Sequence, residues 1–127
     1  MEKEPETTVQ RILIVEDEAV MGRFLMRVLA KPGREVVIAS SYREGLKAIQ
    51  ENSKIDAALI DVNLESYDGI RLAILLRDLR PGLRIVVMSG NPSNELRVIQ
   101  TGFGAMLAKP FTIEELEERI FIKNLPS

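Results

Sequence analysis

Two hydrophobic patterns alternate along the chain after about residue 10. Runs of four apolar residues, most rich in branched side chains, at Ile12 to Val15, Val36 to Ala39, Ala57 to Ile60, Ile85 to Met88 and Ala105 to Ala108, read as strands, the fourth starting at Arg84. The stretches between them carry apolar residues at helical spacing. The first places Val20, Phe24, Leu25, Val28 and Leu29 on one face and ends near Lys31-Pro32-Gly33. Ser41 with Glu44 is a capping-box pattern that opens a second helix carrying Leu46 and Ile49. Asp68-Gly69, after a loop from Val62 to Tyr67, opens a third with Ile70, Ala73, Ile74 and Arg77, stopped by Pro81-Gly82. Gly90-Asn91-Pro92 breaks the chain before a short helix from Glu95 to Gln100, with Gly102 as its C′ residue. A second capping box, Thr112 with Glu115, opens the last helix; Phe111 and Leu116 can staple across it. Ile113, Leu116 and Ile120 are expected to face inward, Glu117 and Glu118 to face water, and Met21, Met26, Met88 and Met106 to fill the core.

Strands alternating with helices predict βαβ units and a parallel sheet of five strands with five helices. In such a sheet the carboxyl ends of the strands share one edge, and ligands bind just beyond it. Four of the apolar runs end in Glu16-Asp17, Asp61, Ser89 and Lys109. Three carboxylates, a hydroxyl and an ammonium are thereby directed to one place.

Composition narrows the chemistry available there. At 127 residues the chain has the size of one domain, and its 46% apolar and 28% charged content is that of an ordinary globular protein. A formal charge of -2, with Lys and Arg scattered, gives no basic footprint for direct nucleic-acid binding. Cysteine and histidine are both absent, which excludes disulfides, thiolate catalysis, Ser-His-Asp hydrolysis and Cys- or His-ligated metals. Residues 1–10 are polar and acidic and read as a flexible lead-in, not a signal peptide; with no apolar run of membrane length, a cytoplasmic location is expected.

Adjacent Glu16 and Asp17 together with Asp61 repel one another unless a cation joins them, and magnesium, with few carboxylates, a carbonyl and several waters, suits such a set. With that charge partly neutralised, a carboxylate can attack phosphorus to give an aspartyl phosphate. Asp61 is the candidate nucleophile. Lys109 can pair with phosphoryl oxygens, the Ser89 hydroxyl can hydrogen-bond another, and Gly90 leaves room for a phosphodonor. Taken singly, each feature has an ordinary explanation: helix-start acids at Glu16 to Glu18, loop starts at Asp61 and Ser89-Gly90, and a turn at Lys109-Pro110. Asp68 reads as a turn or N-cap residue.

The ordered set Ile12-Leu13-Ile14-Val15-Glu16-Asp17-Glu18, Asp61 with Asp68-Gly69, Met88-Ser89-Gly90 and Lys109-Pro110-Phe111 resembles the receiver domain of two-component response regulators over about residues 10 to 124. The resemblance implies a flavodoxin-like, doubly wound α/β fold with strand order 2-1-3-4-5 and helices on both faces. The domain would span 11–124, with a tail at 125–127 and no output domain. It implies a phosphoryl group taken by Asp61 from a histidine kinase or phosphotransfer protein. Mg²⁺ would be held by Glu16 through water, Asp17, Asp61 and the Asn63 carbonyl, and Ser89 and Lys109 would bind the phosphoryl group. It further implies a cis peptide between Lys109 and Pro110, an influence of Asn63 and Asn91 on phosphoryl lifetime, and a protein-interaction face of helix 4, strand 5 and helix 5 that supports a monomer or weak dimer. The only turnover expected is self-phosphorylation and self-dephosphorylation.

Three positions depart from the pattern. Met106 stands where the family usually has an aromatic switch residue and lacks a ring and a phenolic handle; Phe103 replaces a common small residue, and Glu65 a frequent loop proline. Met106 gives weight to a constitutive interaction module that keeps the fold without phosphorylation. A third class, a phosphatase or flavin carrier on the same scaffold, lacks a phosphate cradle in the first strand-to-helix turn and an acid two residues after Asp61.

Overall fold

The structure, a computed structural model, describes residues 9–121. Five strands form one parallel sheet: β1 (Arg11–Val15), β2 (Glu35–Ala39), β3 (Ala57–Asp61), β4 (Arg84–Ser89) and β5 (Leu107–Ala108). Their spatial order is β2-β1-β3-β4-β5. The helices are α1 (Ala19–Leu29), α2 (Tyr42–Glu51), α3 (Gly69–Leu79), α4 (Glu95–Gln100) and α5 (Ile113–Phe121), with a 3₁₀ turn at Pro92–Asn94. Fold class and strand order match the sequence expectation. The calls on residues 1–8 and 122–127, within the lead-in and the C-terminal end, lie outside the described residues. No helix among the described residues is long and apolar enough to cross a membrane.

Alternation along the strands divides the core into two layers. Leu13, Val15, Ala58, Ile60 and Val87 pack against α2, α3 and α4 through Ile49, Ile70, Leu72, Ala73, Leu76 and Val98. Ile12, Ile14, Ala57, Leu59, Val86 and Met88 face the other way, onto Leu25 and Leu29 of α1 and Leu116, Ile120 and Phe121 of α5. Central β3 is buried on both faces, hence its unbroken apolar run. Each fully buried Leu or Ile contributes about 2 kcal/mol of transfer free energy.

Local signals set most of the boundaries. Thr112 and Glu115 close a reciprocal box, Glu115 N–H donating to Thr112 Oγ1 at 3.0 Å and Thr112 N–H to Glu115 Oε1 at 2.9 Å. At α2 the Glu44 N–H donates to Ser41 Oγ, but the Glu44 carboxylate accepts from the N–H and hydroxyl of Ser40, one residue earlier than the box predicts. Gly102 follows α4 with φ +90°, a conformation L side chains resist.

The helix faces required correction. Val20 and Phe24 are 67% and 46% exposed, while α1 buries the expected Leu25 and Leu29 together with Gly22, with Val28 and Met21 partly covered. A Cβ on Gly22 would stand 3.8 Å from Ile38 side-chain carbons, so the helix meets the sheet at a residue without hydrophobic signal. Ile113 and Met26 are exposed as well. The expected fifth strand shortens to Leu107–Ala108, and the expected 62–67 loop contains a two-residue antiparallel ladder, Asn63–Leu64 against Tyr67–Asp68, with Ser66 at φ +67°.

Candidate functional site

Strand register brings the polar endings together. Val15 of β1 pairs with Ile60 of β3, Asp61 with Met88 of β4, and Ser89 with Ala108 of β5, so Glu16, Asp61, Ser89 and Lys109 emerge at one edge. Backbone bonds continue past the strands: Val62 N–H donates to Met88 O and Lys109 N–H to Ser89 O, both at 2.9 Å. The side chains therefore start from fixed positions.

Glu16, Asp17 and Asp61 each place a carboxylate oxygen within 4.8 Å of the others. Glu16 and Asp61 are buried, and Lys109 Nζ donates to Glu16 Oε1 and Asp61 Oδ2, both at 2.9 Å. Remaining oxygens accept backbone N–H groups: Glu16 Oε2 from Glu18 at 3.2 Å, Asp61 Oδ1 from Asn63 at 3.0 Å, and Asp17 Oδ2 from Glu65 at 2.7 Å. One ammonium faces three carboxylates. Burial raises the Glu16 carboxyl to about 7, Lys109 opposes that rise, and Asp61 adds to it. Burial pulls the Lys109 ammonium down, but its bonds to Asp61 and Glu16 outweigh this and hold it above its ordinary value. Hard oxygen donors with an excess of negative charge fit a hard divalent cation.

Other predicted residues surround this cluster. Ser89 is 1% exposed, and its Oγ accepts from the Asn91 N–H at 3.0 Å. Asn91 is exposed and caps the 3₁₀ turn, its Oδ1 accepting from the Ser93 N–H and hydroxyl. At Gly90 a Cβ would meet only Lys109 Cβ, at 3.8 Å, so the loop leaves space there. The Lys109-Pro110 peptide is cis. Met106 is buried in the layer with Val87, Val98 and Phe103, away from solvent and without a polar group to offer. Asp68 caps α3, its Oδ1 accepting from Ile70 N–H at 2.9 Å, and pairs with Arg97 of α4.

Gly69 closes the loop after Asp61. Its N–H donates to Val62 O at 2.7 Å, and a Cβ there would lie 1.8 Å from the Asp61 carbonyl oxygen. Beside the cluster an open groove of about 1090 Å³ is lined by Asp17, Asn63, Arg71 and Asn94 among others; two of its residues, Tyr42 and Tyr67, stack with ring centroids 4.9 Å apart. Asn94 escaped the sequence reading. Its side chain donates Nδ2–H to Ser89 Oγ at 3.0 Å, and the only trace in the sequence was turn chemistry in Asn91-Pro92-Ser93-Asn94.

Comparison with known proteins finds relatives along most of the chain. A probable transcriptional regulatory protein of Picosynechococcus sp. is 34% identical over 121 residues, covering 89% of this chain and 48% of its own. Transcriptional regulatory protein PrrA of Mycobacterium bovis is 32% identical over 115 residues, covering 89% and 49%. The chain thus spans about half the length of these curated relatives. A response regulator receiver domain protein (CheY-like) from Methanospirillum hungatei superposes with a TM-score of 0.77 at 32% identity, over 87% of this chain and 90% of that one. The family model for the response regulator receiver domain matches residues 12–121, a span that holds all five strands except Arg11 at the start of β1 and every residue of the acidic cluster, and the chain belongs to that family.

Proposed function

We propose that the chain is a phosphoacceptor switch in which Asp61 takes a phosphoryl group and the change is read by a protein partner. The observation that supports this reading best is the imbalance around Asp61: three carboxylates, one lysine, and backbone donors that hold each carboxylate in place. Mg²⁺ suits the site and would be held by Glu16 through water and by Asp17, Asp61 and the Asn63 carbonyl. When bound, the ion neutralises charge on the incoming phosphoryl group.

These 127 residues hold no histidine, so a phosphohistidine donor lies outside them, in a histidine kinase or a phosphotransfer protein. An Asp61 oxygen forms the new P–O bond as the donor's P–N bond breaks, and the imidazole leaves with that electron pair and takes a proton from solvent. Lys109 and Ser89 stabilise the transferred oxygens. The reaction is stoichiometric, with water later removing the group, so no turnover of an external substrate is proposed. Location in the cytoplasm, absence of direct DNA contact by this segment, and a monomer or weak dimer using α4, β5 and α5 complete the reading. The downstream partner is a protein of unspecified kind.

Incubation with Mg²⁺ and a small acyl phosphodonor tests it by intact mass. One phosphoryl increment is expected, lost on chelation and in Asp61→Asn; no increment, or one that survives Asp61→Asn, overturns the proposal. A second reading, a constitutive interaction module, draws on buried, apolar Met106. It predicts no increment in the same experiment.

A further inference from the structure

Ser89 Oγ accepts from two donors of the loop that follows it. The Asn91 N–H and the Asn94 Nδ2–H both reach it at 3.0 Å. A hydroxyl has two lone pairs and one proton. With both lone pairs engaged, the proton is what Ser89 retains to offer, and the loop that supplies the two donors does not need it. Asn94 itself is 9% exposed, ends the 3₁₀ turn and directly precedes α4; it lines the groove that also contains Asp17 and Asn63.

We propose that Asn94 is a positioning residue for the phosphoryl site, its side-chain amide holding the Ser89 hydroxyl so that the hydroxyl proton is donated to a phosphoryl oxygen on Asp61. The inference rests on the phosphoacceptor reading and extends it to a residue outside the strand-end motifs. A neutral amide is suited to the task. It donates without adding charge beside three carboxylates, whereas a side chain that only accepts would draw the Ser89 proton toward the loop. Without Asn94, a single backbone donor remains on Oγ, and the hydroxyl rotor gains freedom to point elsewhere.

Beryllofluoride, a tetrahedral mimic of a phosphoryl group on a carboxylate, tests this in the full chain with saturating Mg²⁺. Its affinity is read by ¹⁹F NMR titration for the wild type, Asn94→Ala, Asn94→Leu, Ser89→Ala and the double variant Ser89→Ala/Asn94→Ala. Leucine keeps the branched outline of asparagine with methyl groups in place of the amide O and NH2, so the two substitutions separate loss of the donor from loss of packing. Both are expected to weaken binding about three- to tenfold, the worth of one hydrogen bond. The double variant is expected to bind no more weakly than Ser89→Ala alone, because the effect passes through that hydroxyl. Wild-type affinity in either Asn94 variant, full additivity in the double variant, or loss of folding in both variants would overturn the role of Asn94. A wild type that takes up no beryllofluoride refutes the phosphoacceptor reading itself, and this inference with it.

Discussion

At the amino-terminal edge of the sheet, beside the Arg11–Glu35 ion pair, charged side chains end on backbone; at the carboxyl edge three carboxylates gather around one lysine. Asp56, just before β3, accepts the Gln10 and Arg11 N–H groups at 3.0 and 3.2 Å. Arg80, after α3, donates to the carbonyls of Ile49, Asn52 and Ile55 at 2.7 to 3.0 Å and so caps the end of α2. Arg84 Nε donates to Arg119 O at 3.1 Å. At the opposite edge Lys109 joins Glu16 to Asp61, with Asp17 beside them. A charge spent on carbonyls or amides stabilises the fold and has little left to give. Carboxylates gathered around one lysine leave negative charge for a cation and a reacting group. The difference marks the carboxyl edge as the candidate site without reference to any motif.

The sharpest way to break the comparison is to remove Lys109. Lys109→Met is expected to slow phosphoryl uptake from a small donor a hundredfold to a thousandfold, the loss typical of one preorganised donor at a reacting oxygen. A mass-spectrometric time course checks it, and a rate within a few-fold of wild type would show that the lysine only balances charge.

Glu16 supplies a test based on pH. Its folded carboxyl binds a proton up to about pH 7, whereas an unfolded glutamate releases it near 4.5. Between those values the folded state holds the extra proton, so stability falls as pH rises through the window. Without divalent cation the effect approaches about 3 kcal/mol above pH 7. Urea unfolding in chelator from pH 4.5 to 8 should show this slope in the wild type and lose it in Glu16→Gln; parallel profiles would contradict the assignment.

Arg80 sharpens the contrast from the other edge. Arg80→Met removes hydrogen bonds to three carbonyls and should cost about 2 kcal/mol in urea unfolding, with phosphoryl uptake unchanged. A slowed uptake would mean that the two edges are not separable.

These differences explain what the chain disclosed before its structure was known. The strands were legible because a doubly covered sheet demands unbroken apolar runs, and their endings were legible because a parallel register collects them at one edge. Helix faces were less so. Val20, Phe24 and Ile113 satisfy helical spacing yet stand outside the contact, since spacing does not say where the neighbouring layer stops. Gly22 sits at that contact with no side chain to announce it. Asn94 was invisible for another reason: its partner lies five residues back across a turn, and only the turn's geometry turns an ordinary loop amide toward Ser89.

The closure at Gly69 has a mechanical consequence. The segment from Asp61 to Gly69 is a tether without slack, its ends joined through Val62 O and its backbone so close that no side chain fits between them. Sliding helix α3 along its axis either breaks the bond from the Gly69 N–H to Val62 O or carries the Asp61–Val62 peptide with it. A load applied to that helix from outside is therefore felt at the carboxylate, and by the reciprocity of coupled equilibria, a group bound at the carboxylate pushes back on whatever holds the helix.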